Sequence, residues 1–245
     1  MNWLKWYMML SKTCTEPAKS GILLIRKPKD FSSHDIIAIC RRVMKTKKIG
    51  HSGTLDPMAT GLLILLIGRE ATRKQDQFLK LDKVYSATLT LGEETDSWDA
   101  YGEVIRTAPV PSLTQPQLEE AVKSLSGKIR QPIPFFSAKR INGNRMYELA
   151  RKGAEMERKY NEVTVEWLRV QLDSPSQISF TVRCSCGTYV RSLGYMLAEK
   201  LGTAGHLTVL TREQIGSFEV KDAFDGNLLK NCEAETLYNR LLPVI

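Results

Sequence analysis

The sequence predicts an α+β fold, a single domain with a mixed, largely antiparallel sheet flanked by helices. Three observations lead to this prediction. The chain has 245 residues, of which 42% are hydrophobic, enough to bury a sizeable core. Strand-like runs outnumber helical segments and do not alternate regularly with them. No internal repeat or Gly/Ser linker divides the chain, so we expect one domain over residues 21–245, preceded by an N-terminal extension over residues 1–20.

The first third of the chain predicts strands around one clear helix. "GILLIRK" is an apolar strand that runs into a Lys-Pro turn. Ser32 or Ser33 is then the N-cap of a helix, because apolar residues follow at helical spacing from Ile36. "TGLLILLIG" is typical of either a fully buried strand or a short helix, whereas "KVYSATLTLGEETD" alternates as a strand and ends in an acidic turn.

The remainder predicts a second helix followed by further strands. "TQPQLEEAVKSL" has the pattern of a capped helix. "EVTVEWLRVQL", "QISFTVRCSCGTYVRSL" and "REQIGSFEV" indicate strands, and "YVRSLGYMLAEKLG" becomes helical and ends at Gly202. On this assignment Tyr189 and Arg191 lie two apart on one face of a strand, so both side chains can point into the same pocket. An ordinary cross-strand contact would give the same pattern.

The positive charge of the chain is concentrated locally. The net charge is +8, and between Lys123 and Tyr160 ten Lys or Arg residues stand against three Glu. This segment forms a basic insertion at about residues 130–160, in which Lys139, Arg140 and Arg145 are the candidate RNA contacts. Such a distribution favours a polyanionic partner.

The cysteines and the N-terminus indicate a cytoplasmic protein that has no metal and no membrane span. Five scattered cysteines do not form a disulfide framework, so a reducing compartment is expected. Cys184 and Cys186 could bind a metal, but no motif supplies the other ligands, and structural thiols are favoured. "MNWLKWYMMLSK" is too short, and too interrupted by Lys5, to span a membrane.

A glycine-rich loop holds a single carboxylate, Asp56. Gly50, Gly53 and Gly61 surround it, and glycines allow a backbone to approach a ligand closely. The glycine spacing fits neither a P-loop nor a dinucleotide fingerprint, so nucleotide cofactor binding is not expected. From residue type alone, Asp56 could equally cap the turn that follows it.

The segment "GHSGTLDPMATGLL" resembles the signature of the bacterial tRNA pseudouridine synthases that act on uridine 55 of the T-loop, G-H-x-G-T-L-D-P-x-A-T-G-x-L. Further motifs follow in the same order as in that family: "LLIRKPKDFSSHD", "KVYSATLTLGEETDSWDAYGEV", "PIPFFSAKRINGNRMYELARKG", "CSCGTYVRSL" and "GTAGHLTVLTREQIGSF". The similarity spans about residues 21–245. Several ordered motifs are far more specific than one short pattern.

This resemblance implies a pseudouridine synthase catalytic domain whose catalytic nucleophile is Asp56. It implies that Tyr85 stacks on a flipped base and assists proton transfer, that Tyr189 provides an aromatic platform, and that Arg191 pairs with Asp56. The resemblance extends to four further residues, Leu210 as an apolar wall, His51 as an aid to RNA entry, Asp99 as an acid near the site and Arg73 as a basic position. From the residues alone, Tyr85 could be a core residue and His51 an exposed one.

The implied substrate is the T-stem-loop of tRNA, bound by a monomer without cofactor or metal. Many family members continue past an "LLP" segment into a small RNA-binding domain, whereas this sequence stops at "LLPVI", so we expect no such C-terminal module. A non-catalytic tRNA-binding or tRNA-folding protein is the alternative, since basic segments suit it equally well. A metal-dependent nuclease is disfavoured because only three histidines exist, far apart.

Overall fold

The computed structural model describes residues 20–137, 139–141, 144–151 and 157–244, so the predicted extension at residues 1–20 lies outside it except for Ser20. The helices are α1 (Ser33–Val43), α2 (Gly68–Arg73), α3 (Gln75–Lys80), α4 (Gln115–Lys123), α5 (Met146–Arg151), α6 (Val190–Lys200) and α7 (Ala234–Tyr238). The strands are β1 (Gly21–Lys27), β2 (Ile49–His51), β3 (Thr60–Ile67), β4 (Lys83–Leu91), β5 (Glu93–Thr95), β6 (Val104–Thr107), β7 (Gly127–Pro132), β8 (Arg140–Ile141), β9 (Asn144–Arg145), β10 (Tyr160–Ser174), β11 (Gln177–Cys184), β12 (Gly205–Ile215), β13 (Phe218–Glu219) and β14 (Phe224–Asp225).

A ten-stranded mixed sheet forms the centre of the molecule and confirms the predicted fold class. The strand order is β14-β1-β3-β12-β4-β11-β10-β7, with β2 also paired to β3 and β13 to β12. Two pairs, β1 with β14 and β3 with β12, are parallel, and the other pairs of this sheet are antiparallel. Two small hairpins, β5–β6 and β8–β9, lie outside this sheet.

The two halves of the sheet are buried differently. Strand β3 is covered on both faces, because Leu63 and Leu65 belong to one apolar cluster while Leu62 and Ile64 belong to another. Strand β4 instead alternates between buried apolar residues and half-buried Ser or Thr. A strand that is buried on both faces has no alternation of polar and apolar residues. The sequence of β3 is therefore compatible with either a strand or a helix.

A side-chain cap defines where helix α1 begins. Ser32 is the N-cap of α1: its Oγ accepts from the Asp35 amide at 3.1 Å, and Asp35 Oδ2 accepts from the Ser32 amide at 2.8 Å. Ser33, the other candidate, points elsewhere, and its Oγ accepts from the Leu55 amide at 2.8 Å. The start of the first helix is therefore tied to the loop that carries Asp56.

The prediction that Tyr189 and Arg191 share a strand face is wrong. Strand β11 ends at Cys184, Tyr189 is the N-cap of α6, and Arg191 lies in the first turn of that helix. The side chain of Gln131 fixes this change of direction, because its Oε1 accepts from the Tyr189 amide at 2.7 Å and its Nε2 donates to the Tyr189 carbonyl at 3.2 Å. These bonds use the backbone groups that Tyr189 would need in a strand.

Strand β12 begins earlier than the sequence predicted. We expected a strand from Arg212, but β12 starts at Gly205 and pairs with β4 along its length. At the other edge of β12, only Thr211 and Arg212 pair with β3, opposite Thr60 and Gly61. The two halves of the sheet therefore meet at this short parallel contact, next to the loop that carries Asp56.

Candidate active site

The loop of residues 52–59, between β2 and β3, is held in place by β1, by α1 and by the turn that joins them. Leu55 is bonded to Ser33 of α1, as described above. The Pro57 carbonyl accepts from the Asp30 amide at 3.0 Å and from Lys27 Nζ at 3.3 Å. Because its neighbours on both sides are anchored, the backbone of Asp56 has a fixed position.

Asp56 forms a two-pronged ion pair with Arg191. Arg191 Nε donates to Asp56 Oδ2 at 2.9 Å, and Arg191 Nη2 donates to Asp56 Oδ1 at 3.2 Å. The arginine side chain is only 3% exposed, whereas that of Asp56 is 34% exposed. A buried cation thus holds a carboxylate whose outer part remains open to a ligand.

Backbone carbonyls complete the coordination of Arg191. Its Nη1 donates to the Ser97 carbonyl at 2.6 Å, and its Nη2 also donates to the Phe136 carbonyl at 2.9 Å. Asp99 Oδ2 lies 3.5 Å from Arg191 Nε. Burial raises the pKa of Asp99, while Arg191 and the Ser97 hydroxyl act in the opposite direction. These partners leave the guanidinium little freedom to turn away from Asp56.

A second buried arginine, Arg212, supports the other side of the loop. It is 1% exposed; its Nε donates to the Leu62 carbonyl at 2.7 Å and its Nη2 to the Gly53 carbonyl at 3.2 Å. Arg212 is the register partner of Tyr85 between β12 and β4, and burial raises the pKa of the Tyr85 hydroxyl while Arg212 acts in the opposite direction. A side chain at Gly61 would come within 2.3 Å of the Arg212 carbonyl oxygen, so a glycine is required where the strands meet.

Asp56 lies between two cavities. The smaller one, about 420 Å³, is lined by the pocket side chains Tyr85, Tyr189, Leu210 and Arg212. The larger one, about 970 Å³, is lined by residues that include His34, His51, Asp99 and Arg191. The first has the aromatic and apolar walls of a pocket for a planar ring, and the second extends the site along the surface.

The structure brings most of the predicted site residues together. Burial raises the pKa of the Tyr189 hydroxyl, while Ser137 acts in the opposite direction. His51 Nδ1 accepts from the Gly53 amide at 3.2 Å, and burial lowers the pKa of His51. Arg73 is the exception: it is exposed at the end of α2 and lines neither cavity.

The three predicted RNA contacts belong to the basic insertion. Lys139 is exposed and lines the smaller cavity. Arg140 and Arg145 are register partners in the β8–β9 hairpin, and their side chains lie outside the described part of the structure. The insertion therefore begins at the rim of the site that contains Asp56.

Sequence reasoning gave no role to three buried cations at the site, Lys27, Lys83 and Arg212. Lys27 Nζ donates to the Pro28 and Phe31 carbonyls at 2.8 and 2.6 Å in addition to its bond with Pro57, and burial lowers its pKa to about 8. Lys83 lines the smaller cavity and has its pKa lowered by burial. All three lie within the motifs that resemble the family. A charged residue within an otherwise apolar strand is the sequence feature that could have identified them.

Within the described residues, no group of three His, Cys, Asp or Glu side chains could hold a metal ion. The helices of that same part of the chain include none long and apolar enough to cross a membrane.

Comparisons with known proteins define the class and then the family. A family model described as TruB family pseudouridylate synthase (N terminal domain) matches residues 41–190. The protein of Opitutus terrae named tRNA pseudouridine synthase B is 41% identical over 224 residues, which is 91% of this chain and 92% of that protein. The protein of the same name from Protochlamydia amoebophila is 43% identical over 84% of this chain and 78% of its own length.

The class is therefore that of the pseudouridine synthases, isomerases that convert uridine in RNA into pseudouridine. More narrowly, this chain belongs to the TruB family. The family predicted from the sequence motifs is confirmed.

Among solved structures, a chain in the crystal structure of a Cbf5-Nop10-Gar1 complex has the same fold. The TM-score is 0.68 at 22% identity, and the match covers 92% of this chain but 60% of that chain. A similar match, with a TM-score of 0.65 at 21% identity, is found in a structure of an H/ACA RNP bound to a substrate RNA that contains 2'-deoxyuridine. At these identities the likeness concerns the fold.

Proposed function

We propose that this protein isomerises uridine 55 in the T-loop of tRNA to pseudouridine, with Asp56 as the catalytic nucleophile. The observation that carries the proposal is the ion pair between a half-exposed Asp56 and a buried Arg191 at the wall of a ring-sized pocket. The relatives named tRNA pseudouridine synthase B support tRNA as the substrate.

Arg191 orients Asp56. Two neighbouring N–H groups of its guanidinium donate to the two carboxylate oxygens, which fixes the direction in which the carboxylate faces the pocket. An ionised carboxylate is the reactive form in each route by which it can act, whether by attack at C1′, by attack at C6 of the uracil, or by assisting departure of the base from the sugar.

The smaller cavity would receive the flipped base. Tyr85 and Tyr189 supply aromatic faces for stacking, and Leu210 supplies an apolar wall. A pocket that accepts the base outside the helical stack allows the uracil to turn once its bond to the sugar is broken. Arg212, the register partner of Tyr85, lines the same pocket as the Tyr85 hydroxyl that we assign to proton transfer.

The reaction conserves every atom of the nucleotide. The bond between C1′ and N1 breaks, the uracil turns, and C5 bonds to C1′. The proton on C5 then leaves and N1 gains one, so no oxidant, reductant or group donor is consumed. The Tyr85 hydroxyl is the side chain that we assign to this proton transfer.

Substrate recognition would use the shape of the T-arm. All the site residues come from one chain, so a monomer is sufficient. Asp56 lines both cavities, and Lys139 of the basic insertion lines the smaller one. This arrangement suits an RNA loop that enters the site with its phosphates on the side of the basic insertion. A T-stem-loop hairpin should therefore be modified nearly as well as whole tRNA.

The test is to map pseudouridine by carbodiimide treatment and primer extension in unmodified tRNA incubated with the protein. A stop at position 55 is expected, in whole tRNA and in the T-arm hairpin, and a tRNA with cytidine at position 55 is the control. Modification at another position would overturn the assignment of uridine 55. Tight tRNA binding without any pseudouridine would instead favour the non-catalytic tRNA-folding function.

A further inference from the structure

We propose that Arg158 is a positioning residue that sets the geometry of the Asp56–Arg191 pair by stacking on two aromatic rings. The inference rests on the proposed function for its activity readout. Arg158 lies at the end of the basic insertion, just before β10, where an arginine would ordinarily be taken for an RNA contact.

Its guanidinium is engaged by the protein. The Cζ atom of Arg158 lies 4.5 Å from the ring centroid of Phe135 and 4.7 Å from that of Trp98. Trp98 is itself stacked on Tyr195 of α6, with ring centroids 4.2 Å apart and an interplanar angle of 11°. The arginine thus belongs to a stack that reaches the helix that carries Arg191.

Both rings are adjacent in sequence to a carbonyl that holds Arg191. Ser97, whose carbonyl accepts from Arg191 Nη1 at 2.6 Å, directly precedes Trp98. Phe136, whose carbonyl accepts from Arg191 Nη2 at 2.9 Å, directly follows Phe135. A shift of the Trp98 ring would move the Ser97 carbonyl, because that carbonyl belongs to the planar, rigid peptide unit that ends at the Cα of Trp98. The Phe136 carbonyl is linked less directly, since it lies in the peptide that follows the residue next to Phe135.

The backbone conformation of Trp98 makes the position of the Ser97 carbonyl depend strongly on the contacts of the Trp98 ring. Trp98 has φ of +60°, a left-handed conformation that a bulky residue adopts only when its surroundings impose it. Its indole is 2% exposed, and its Nε1 donates to Glu94 Oε1 at 3.0 Å. The stacked arginine is one of the contacts that keep this ring, and therefore the Ser97 carbonyl, in position.

A chain of contacts therefore runs from Arg158 to the nucleophile. Arg158 packs on the rings of Trp98 and Phe135. The carbonyls of the neighbouring residues Ser97 and Phe136 accept from Arg191. Arg191 in turn orients Asp56. Lysine cannot replace arginine here, since a compact ammonium does not present a planar face to an aromatic ring.

The test compares Arg158→Met and Arg158→Lys with wild type and with Arg240→Met. Arg240 is an exposed arginine whose Cζ lies 5.3 Å from the Phe224 ring centroid, so its replacement removes a cation from a ring remote from both cavities. Single-turnover rates at saturating tRNA, tRNA affinity and thermal melting are measured for each. The NMR resonance of the Arg191 Nε–H, which reports the hydrogen bond to Asp56, is recorded for each protein and requires no turnover.

We expect Arg158→Met to reduce the saturating rate roughly ten- to a hundredfold while changing affinity less than about threefold. The NMR resonance of the Arg191 Nε–H should shift relative to wild type, since a displaced Arg191 donates less well to Asp56. Arg158→Lys should recover only part of the rate although it keeps the charge. Arg240→Met should match wild type in rate and in the Arg191 resonance.

A loss confined to affinity would make Arg158 an RNA contact and overturn the inference, as would an unchanged Arg191 Nε–H resonance or full rescue by lysine. If Arg158→Met fails to fold, the folded Arg158→Lys decides by the same two readouts, the rate and the Arg191 resonance. Absence of pseudouridine with wild-type protein would overturn the proposed function alone, because the Arg191 resonance still tests the positioning role.

Discussion

The loop of residues 52–59 and the basic insertion at about residues 130–160 border the same pocket but are built in different ways. The loop is short, and buried groups from distant parts of the chain, among them Lys27, Ser33, Arg191 and Arg212, hold its backbone and its one carboxylate. The described part of the insertion carries exposed charge at Lys139 and Lys159, which lie outside regular elements. The elements it contains are short, namely the β8–β9 hairpin and the six-residue α5.

The difference reflects what each region has to do. A reacting carboxylate must be placed to a fraction of an ångström, which requires buried and directional partners. A phosphate contact acts through charge at longer range and tolerates variation in the position of a flexible side chain. Mutations in the loop should therefore affect the chemical step, and those in the insertion should affect binding and its dependence on salt.

The largest effect is expected from Asp56→Asn. The amide has the shape of the carboxylate and is still close to Arg191, but it is not a nucleophile, so the single-turnover rate should fall at least about 10⁴-fold while tRNA affinity is retained. Asp96→Asn is the matched control, because Asp96 lines the larger cavity and accepts from the Glu103 amide instead of from Arg191. Isomerisation at the wild-type rate by a folded Asp56→Asn protein would reduce Asp56 to a turn residue.

Tyr85→Phe should come next, with a loss of about 10²-fold in rate and little change in affinity. The phenyl ring keeps the stacking surface, whereas the hydroxyl that we assign to the proton-transfer step is lost. Tyr189→Phe removes a hydroxyl from the same pocket to which no proton transfer is assigned, and it should cost much less. The two single-turnover rates are compared at saturating tRNA, and equal losses would contradict the role assigned to the Tyr85 hydroxyl.

In the insertion, reversal of charge at Arg140 and Arg145 should weaken tRNA binding and leave the saturating rate nearly unchanged. The slope of log affinity against log salt should decrease by about two, one for each phosphate contact. Lys200→Glu with Lys221→Glu changes the net charge equally at two exposed positions outside the insertion and both cavities. If this control pair decreases the slope as much, the effect is one of overall charge.

The smallest effect concerns Lys27, which anchors the Asp56 loop through Pro57. Its pKa is lowered to about 8 in the folded protein from an ordinary 10.5, so between these values the unfolded chain binds more protons and the free energy of unfolding rises with pH. Wild type should therefore gain stability over Lys27→Met from pH 8 to 10.5, with no relative change below pH 8. Denaturant unfolding at several pH values measures the difference, and a constant difference would show that Lys27 does not titrate in this range.

Local patterns in the sequence were sufficient for much of the fold and for the identity of the reacting group. The α1 cap at Ser32, the alternation along β4 and the capped α4 all depend on residues close together in the chain. The ordered motifs identified the family and singled out Asp56. Each of these features depends on particular residue types at a fixed spacing within a short segment, and periodicity and capping rules use this kind of information.

The tertiary structure decided how the site is assembled. Arg191 and Asp56 are 135 residues apart, and Arg212 and Leu62 are 150 apart, so no local pattern reports which buried cation meets which oxygen. Arg191 was assigned to a strand because its neighbours are strand-like, yet Gln131 of β7 turns the backbone at Tyr189 and places Arg191 on a helix. Such contacts form only when the sheet brings remote segments together, because the burial that makes a charged hydrogen bond specific is a property of the packed molecule and not of any short segment.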